Sequence, residues 1–337
     1  MDKEIKLNNW LITGGCGFIG KIFIKHLKSI NPNFSIRVID NLKVGTREEL
    51  SFSGDFEEVS DANNLKWESG ITQLIVEDIL EYNKLLKITS GADVIIHLAA
   101  NTGVLPSVED PKMDFENNVI GTFNLLETCR INKIKKFVMA SSGAAAGEVT
   151  PPIHEEVCAH PTSPYGASKL VGESYCSAYY NSYGVNTVAL RFSNVYGPGS
   201  THKNSIVAKF TKRAINGEVL EIYGDGSQTR DFVYTEDLLN AIYLSAIKDI
   251  GGEVFQIASN NETTVLEITD LLVKTLKSKG IENIEVIHGS KNVGEVYRNY
   301  ADTSKAQKIL GWNVKMNLEQ GIENTVEWFF SLDSKIV

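Results

Sequence analysis

Three groups of residues in this sequence have the types and spacing to do chemistry. Gly14, Gly15, Gly17 and Gly20 stand in Thr13-Gly14-Gly15-Cys16-Gly17-Phe18-Ile19-Gly20, which fits GxGxxG from Gly15 and GxxGxxG from Gly14. Glycines permit a tight turn and let the backbone approach a pyrophosphate. A helix opening behind them adds N–H donors and a partial positive charge. Asp40 stands twenty residues beyond Gly20, where a second strand should end. A carboxylate there accepts hydrogen bonds from both adenosine ribose hydroxyls and repels a 2′-phosphate, so the pattern predicts NAD rather than NADP. Gly15 to Lys21 also reads GxxxxGK, but residue 22 is Ile where a triphosphate-binding loop needs Ser or Thr for Mg²⁺.

The second group is Tyr165 and Lys169, four residues apart in a stretch that reads as a helix from Pro164 to Tyr183. That spacing puts them on one face, and Pro164 suits a first helical turn. A phenol with a pKa near 10 is a poor base at neutral pH. A neighbouring ammonium favours the phenolate, as would the positive nicotinamide ring of NAD⁺. The third group is Ser141-Ser142, directly after the predicted strand Lys136–Ala140. A hydroxyl at that strand end can bond the substrate oxygen on which Tyr165 acts. YxxxK alone is common on amphipathic helices, and a lone serine often caps a turn. The three groups gain meaning by occurring together, in order, on the elements the chemistry needs.

Those elements come from the hydrophobic pattern. Trp10–Thr13, Ser35–Ile39, Leu74–Val76, Asp93–Leu98, Lys136–Ala140 and Thr187–Phe192 read as buried strands. Phe18–Ile30, Ile79–Ile88, Met113–Asn132 and Pro164–Tyr183 read as helices between them. Strict alternation predicts an α/β fold, a doubly wound parallel sheet with its site beyond the carboxyl ends of the strands. Ser51 to Gly70 is polar and irregular and reads as a surface insertion. Gly197–Thr201 marks a boundary, after which the alternation loosens and helices are expected at Ile206–Asn216, Val265–Lys279, Ser304–Leu310 and Leu318–Phe330.

Composition bounds the rest. The 337 residues carry 33 Lys+Arg against 42 Asp+Glu, a net charge of −9, and 42% are hydrophobic. The chain is too apolar to be disordered, and its acidity argues against nucleic acid or an anionic membrane as its partner. Met1 to Asn9 has no apolar signal core. Val94–Ala100, interrupted by His97, falls far short of the roughly 18–20 apolar residues of a membrane span. A cytoplasmic chain is expected. Cys16, Cys129, Cys158 and Cys176 have no CxxC spacing and read as free thiols. His154 and His160 lack a second ligand pair, so no metal is expected.

With these residues in view, the sequence resembles the extended short-chain dehydrogenases/reductases of the NAD-dependent nucleotide-sugar epimerase/dehydratase family, most of all the UDP-glucose and UDP-N-acetylglucosamine 4-epimerases. Matching stretches run nearly the whole chain. They include Ile12–Gly20, Asp40-Asn41-Leu42, Glu77-Asp78-Ile79, His97–Ala100, Asn118–Thr122, Ala140–Ser142, Ser163–Lys169, Arg191–Pro198, Tyr223–Gly226, Thr229–Phe232 and Ala301–Ala306. The resemblance implies a Rossmann-like NAD-binding domain over residues 1–195, with 229–259 returning to it. A smaller, mixed α/β substrate-binding domain would comprise 196–228 and 260–337. It implies that Ser142, Tyr165 and Lys169 are catalytic. NAD would be held by Gly14, Gly17, Phe18, Ile19, Gly20, Asp40, Asn41, Asp78, Ile79, Leu98, Ala99, Ala100, Asn118, Tyr165 and Lys169. Ser142, Asn194, Arg230, Glu295 and Asn299 would meet a UDP-sugar substrate, and helices Met113–Asn132 and Pro164–Tyr183 would form a homodimer.

The chain departs from the family pattern at informative places. Ala146 replaces a family tyrosine after the strand-end serine, which touches the shape of the pocket. Gly143 and Ala144 stand where dehydratases carry the two acids that eliminate water, which argues against a 4,6-dehydratase. Asn292 replaces a family arginine, leaving Lys291 or Arg298 to compensate. Asn299 occupies a size gate where a large tyrosine would admit only an unmodified C2 hydroxyl. UDP-glucose, UDP-N-acetylglucosamine and UDP-glucuronate all remain open as substrates, and the alternatives to a 4-epimerase are a uronate decarboxylase, a sugar-nucleotide reductase or a non-catalytic NAD-binding regulator.

Overall fold

The computed structural model describes residues 4–61, 64–290 and 297–332. The chain divides into two compact units. One comprises residues 1–149, 157–191 and 239–255; the other comprises 150–156, 192–238 and 256–337.

The first unit is built on an eight-stranded sheet. Its strands are β1 (Asn9–Thr13), β2 (Ser35–Asp40), β3 (Glu57–Glu58), β4 (Thr72–Val76), β5 (Val94–His97), β6 (Lys136–Ser142), β7 (Thr187–Phe192) and β8 (Glu253–Ile257), in spatial order β8-β7-β6-β5-β1-β2-β4-β3. The order reverses beside β1, so the crevice that receives a ligand in such sheets opens there. Parallel pairing sets Thr13 opposite both Ile39 and His97, and His97 opposite Met139. The residues that follow, Gly14, Asp40, Leu98–Ala100 and Ala140–Ser142, therefore gather along one edge of the sheet.

The strands are buried on both faces, which is why they read as continuous apolar runs. On one face Leu11, Ile39, Ile95 and Phe137 pack with Leu125, Leu126 and Cys129 of the Gly121–Asn132 helix and Cys176 of the Pro164–Tyr183 helix. On the other, Trp10 meets the rings of Phe23 and Phe34.

In the first unit the elements differ from expectation in three places. The Ile79–Ile88 helix begins only at Tyr82. Asp78 Oδ1 accepts from the Leu80 N–H and the Asp78 carbonyl from the Glu81 N–H, so residues 78–81 form a turn. The Met113–Asn132 helix is broken into Pro111–Phe115, a π turn over Glu116–Ile120, and Gly121–Asn132. The Ser51–Gly70 insertion is structural in part. It supplies β3, and its Lys66 carbonyl and Trp67 ring close over Arg37, a fully buried arginine of β2. Arg37 donates to Gln73 Oε1 at 3.0 Å, the Ile88 carbonyl at 2.7 Å and the Lys66 carbonyl at 3.1 Å. That pairing is what makes a charge tolerable at the centre of a strand.

Among its described residues the second unit contains three two-stranded sheets. Asn194–Tyr196 pairs in parallel with Phe232–Tyr234, Leu220–Tyr223 in parallel with Val286–Gly289, and Thr229–Arg230 antiparallel with Thr263–Thr264. The helices Ile206–Ile215, Val265–Ser278 and Leu318–Ser331 pack their apolar faces around Leu220, Ile222 and Phe232. The helix expected at Ser304–Leu310 ends in a π turn over Ala306–Leu310.

Candidate active site

The glycine loop is held by backbone contacts that side chains would prevent. Gly14 adopts φ +69°, a left-handed conformation that favours glycine, and donates its N–H to the Ile39 carbonyl at 2.8 Å. A Cβ on Gly14 would lie 2.7 Å from the Ala99 nitrogen. No side chain caps the Phe18–Ile30 helix that follows, and a helix start is where backbone donors and positive potential are available to a phosphate.

Beneath the loop, His97 ties three elements together. Thr122 Oγ1 donates to the Asn118 carbonyl at 2.6 Å, so towards His97 Nε2, 3.0 Å away, it accepts. His97 therefore carries its proton on Nε2, and Nδ1 accepts from Thr13 Oγ1 at 2.8 Å. Thr13 Oγ1 in turn accepts from the Ala99 N–H at 3.3 Å. Burial pushes the imidazole down to about 3, with Lys169 adding to the effect, so the ring is neutral at physiological pH.

Asp40, at the end of β2, accepts from the Cys16 N–H and the Leu42 N–H, each at 2.9 Å. Asn41 donates to Asp78 Oδ2 at 2.9 Å, which brings these two predicted residues together. The Ile79 side chain is buried: a Cβ on Gly121 would meet its Cδ1 at 2.4 Å. A bare glycine cradle, an uncapped helix start and a buried carboxylate at the end of β2 fit the pyrophosphate and adenosine ribose of NAD.

The Pro164–Tyr183 helix starts with Ser163 as its cap, its Oγ accepting from the Gly166 N–H. This start fixes Tyr165 beside β6, close enough for the Ser142 side chain to act on its phenol. Ser142 Oγ also accepts from the Ala144 N–H at 3.2 Å, at the head of the short Gly143–Ala145 turn. Lys169 is 4% exposed. Its Nζ donates to the Ala140 carbonyl at 3.0 Å and lies 5.7 Å from the centroid of the Tyr165 ring. Burial lowers the ammonium to about 8, against the opposing pull of Asp114 and Glu173. Burial also raises the Tyr165 phenol, and the Ser142 hydrogen bond opposes that rise. Asn118 lies in the π turn and donates to the Asn101 carbonyl, Asp114 Oδ1 and Ser168 Oγ. Ala146 is fully buried, its carbonyl accepting from the His160 N–H at 2.8 Å, so its methyl packs inside the unit.

Within the second unit, Asn194 and Arg230 line one cavity of about 250 Å³. The parallel register that sets Asn194 opposite Phe232 brings them together, and the Asp231 carbonyl accepts from both Asn194 N and Nδ2 at 3.0 Å. The buried Asp231 carboxylate is held by the Ser259 N–H and hydroxyl, the Asn260 N–H and the Ala301 N–H. Sequence reasoning assigned no role to Lys209, Tyr223 or Gln228, which also line the cavity. Lys209 Nζ lies 5.4 Å from the centroid of the Tyr223 ring, and Gln228 donates to the Tyr223 carbonyl at 2.9 Å. The aromatic before Gly224-Asp225-Gly226 was the available signal. The Asn299 N–H donates to Thr229 Oγ1 at 3.3 Å, next to Arg230. Arg298 forms a bidentate pair with Glu262, both contacts 2.7 Å. Glu295, Lys291 and Asn292 lie outside the described residues. Among the described residues no three His, Cys, Asp or Glu side chains are grouped to hold a metal, and no helix is long and apolar enough to cross a membrane.

Residues 10–258 match the NAD dependent epimerase/dehydratase family. A UDP-glucose 4-epimerase of Mycolicibacterium smegmatis is 31% identical over 323 residues, covering 95% of this chain and 97% of that one. The crystal structure of a UDP-N-acetylglucosamine 4-epimerase from Methanobrevibacter ruminantium, in complex with UDP-N-acetylmuramic acid, superposes with a TM-score of 0.85 at 31% identity. It covers 97% of this chain and 99% of that one. A Thermus thermophilus UDP-glucose 4-epimerase in complex with NAD gives a TM-score of 0.81 at 30% identity, covering 96% and 99%. The chain belongs to the NAD-dependent epimerase/dehydratase family, and its cofactor is NAD.

Gly14→Ala tests the cradle. The added methyl is strained at φ +69° and meets backbone. The strain costs about 1–3 kcal/mol; with the loop displaced from Ala99 to relieve it, NAD affinity by calorimetry should weaken about 5- to 150-fold. Unchanged affinity would contradict the cradle.

Proposed function

We propose that this chain is a UDP-sugar 4-epimerase that inverts C4 of a UDP-hexose through a 4-keto intermediate. The observation that carries the reading is the Ser142–Tyr165–Lys169 arrangement, with a serine side chain acting on the tyrosine phenol and a buried ammonium beneath its ring. When bound, NAD supplies the acceptor and donor of the C4 hydride and, when oxidised, a positive charge. Tyr165, as phenolate, takes the proton from the sugar O4, and Ser142 bridges the two oxygens. Burial alone would keep Tyr165 neutral, so its ionisation depends on nearby positive charge, to which Lys169 contributes. With NAD bound, Lys169 would also hold the nicotinamide ribose hydroxyls. Tyr165 returns the proton once the keto sugar presents its opposite face. Gly143 and Ala144 offer no acid for water elimination, which favours epimerisation over dehydration.

The second unit's cavity takes the nucleotide diphosphate. Arg230 and Lys209 supply positive charge for phosphate oxygens, Asn194 an amide donor, and Tyr223 a ring for a base to stack against. Glu295 binds the nucleotide ribose and Asn299 gates the C2 substituent. Asn299 is intermediate in size, so the N-acetyl and unmodified sugars are both within its range.

We also infer a cytoplasmic homodimer. Phe115, Phe123, Tyr175, Tyr180 and Tyr183 are exposed on the Pro111–Asn132 segment and the Pro164–Tyr183 helix. Phe123, Tyr175, Tyr179 and Tyr183 form a chain of ring contacts across the two helices. An aromatic face of this kind suits burial against its own copy. Sedimentation velocity should give twice the 37.2 kDa chain mass; a monomer at micromolar concentration overturns the dimer.

Proton NMR of UDP-glucose, UDP-N-acetylglucosamine and UDP-glucuronate, each incubated with holoprotein, tests the function. The expected result is conversion of at least one to its C4 epimer without consumption of added NAD. Tyr165→Phe should retain NAD and lose about 10²-fold or more in kcat. Full activity in that variant would remove Tyr165 from its assigned role.

A further inference from the structure

Asp114 is a buried carboxylate that the proposed reaction does not use. It is 1% exposed, and it sits in the Pro111–Phe115 helix just before the π turn. Asn118 Nδ2 donates to its Oδ1 at 2.9 Å and lies 3.2 Å from Ser168 Oγ, while Ser168 donates to the Tyr165 carbonyl at 3.0 Å. A continuous hydrogen-bonded path thus runs from Asp114 through the π-turn asparagine to the turn of helix that carries Tyr165 and Lys169. The other oxygen, Oδ2, has no donor at hydrogen-bond geometry, and neither has the neighbouring Asn101 Nδ2 an acceptor. Burial raises the Asp114 carboxyl above its ordinary value, against the opposing pull of Ser168, Lys169, Asn101 and Asn118. Lys169 is the cation that acts on it.

We propose that Asp114 is a positioning residue for the Tyr165–Lys169 pair: its buried carboxylate fixes the π-turn Asn118 and the Ser168 turn, and it brings a negative charge to both catalytic groups. The inference rests on the reading of Tyr165 as the base. The titratable and charged groups around the pair are Asp114 from its own helix, Glu173 from the Pro164–Tyr183 helix and His97 from β5. His97 stays neutral. Glu173 is already bound bidentately by Arg191, with both contacts 2.8 Å, and accepts from Ser141. Glu109, Asp110 and Lys112, which precede Asp114 in sequence, are exposed, and Glu116, which follows it, pairs with Lys112 at 3.7 Å. Asp114 is therefore the carboxylate near the pair that has no Arg or Lys partner of its own.

The sign of its effect is the same on both groups. A negative charge favours the ammonium over the amine and the phenol over the phenolate, so Asp114 raises both pKa values. Asp114→Asn keeps the shape and the Asn118 contact but removes the charge. In holoprotein, the phenolate absorbance of Tyr165, taken as each protein minus its Tyr165→Phe counterpart, should titrate about one pH unit lower in Asp114→Asn than in the parent. Asp114→Glu should titrate with the parent. With whichever UDP-sugar the parent inverts, both limbs of the kcat profile should move to lower pH in Asp114→Asn. A Tyr165 midpoint unmoved in Asp114→Asn, or moved equally by Asp114→Glu, overturns the proposal. A parent that inverts none of the three UDP-sugars overturns the function instead, while the absorbance titration still judges Asp114.

Discussion

The Lys169 ammonium is nearly withdrawn from water, and the arrangement of the first unit follows from keeping it there. Withdrawing an ammonium costs several kcal/mol unless acceptors and opposite charge replace the solvent. The acceptor is the Ala140 carbonyl, at the end of β6 where the sheet edge exposes it. The opposite charge comes from Asp114 and Glu173. Each must be delivered by a different element, so β6, the Pro164–Tyr183 helix and the π-turn segment are mutually constrained. Gly172 allows the helix to lie against β6, since a Cβ there would meet Met139 Cε at 2.3 Å. The Tyr165 ring then lies beside the ammonium because the two residues are one helical turn apart.

The second unit solves a related problem with one carboxylate. Asp231 is buried, and its two oxygens gather four donors from residues 259, 260 and 301, while its carbonyl holds both nitrogens of Asn194. Arg230 and Phe232, the residues on either side of it, line the cavity. A residue with no place in the cavity thus organises its wall, and it does so through backbone N–H groups that any sequence at 260 and 301 other than proline would offer.

What could be read from the chain alone divides along physical lines. The alternation of buried strands and helices was legible because a parallel sheet covered on both faces leaves continuous apolar runs, and the glycine loop because Gly14 and its neighbours answer a backbone need that no other residue meets. The π turn at Glu116–Ile120 was not legible, because the stretch from Met113 to Asn132 offers no proline or glycine before Gly121 to mark an interruption. The late start of the Tyr82 helix depends on the Asp78 side chain choosing a turn. Arg37 looks out of place in a strand until Lys66 and Trp67, some thirty residues away, are seen to cover it. Lys209, Tyr223 and Arg230 come from three separate elements, and only tertiary packing unites them around one cavity.

The central claim is that Tyr165 and Lys169 serve a C4 inversion in which the hydrogen at C4 leaves and returns inside the protein. A UDP-hexose deuterated at C4, in whichever sugar form the holoprotein inverts, tests this most directly when followed by NMR in ordinary water. The account predicts that the C4 epimer appears with its deuterium retained and with no stoichiometric reduction of added NAD. Loss of the deuterium to solvent, or product formation tied to net NADH release, would contradict it.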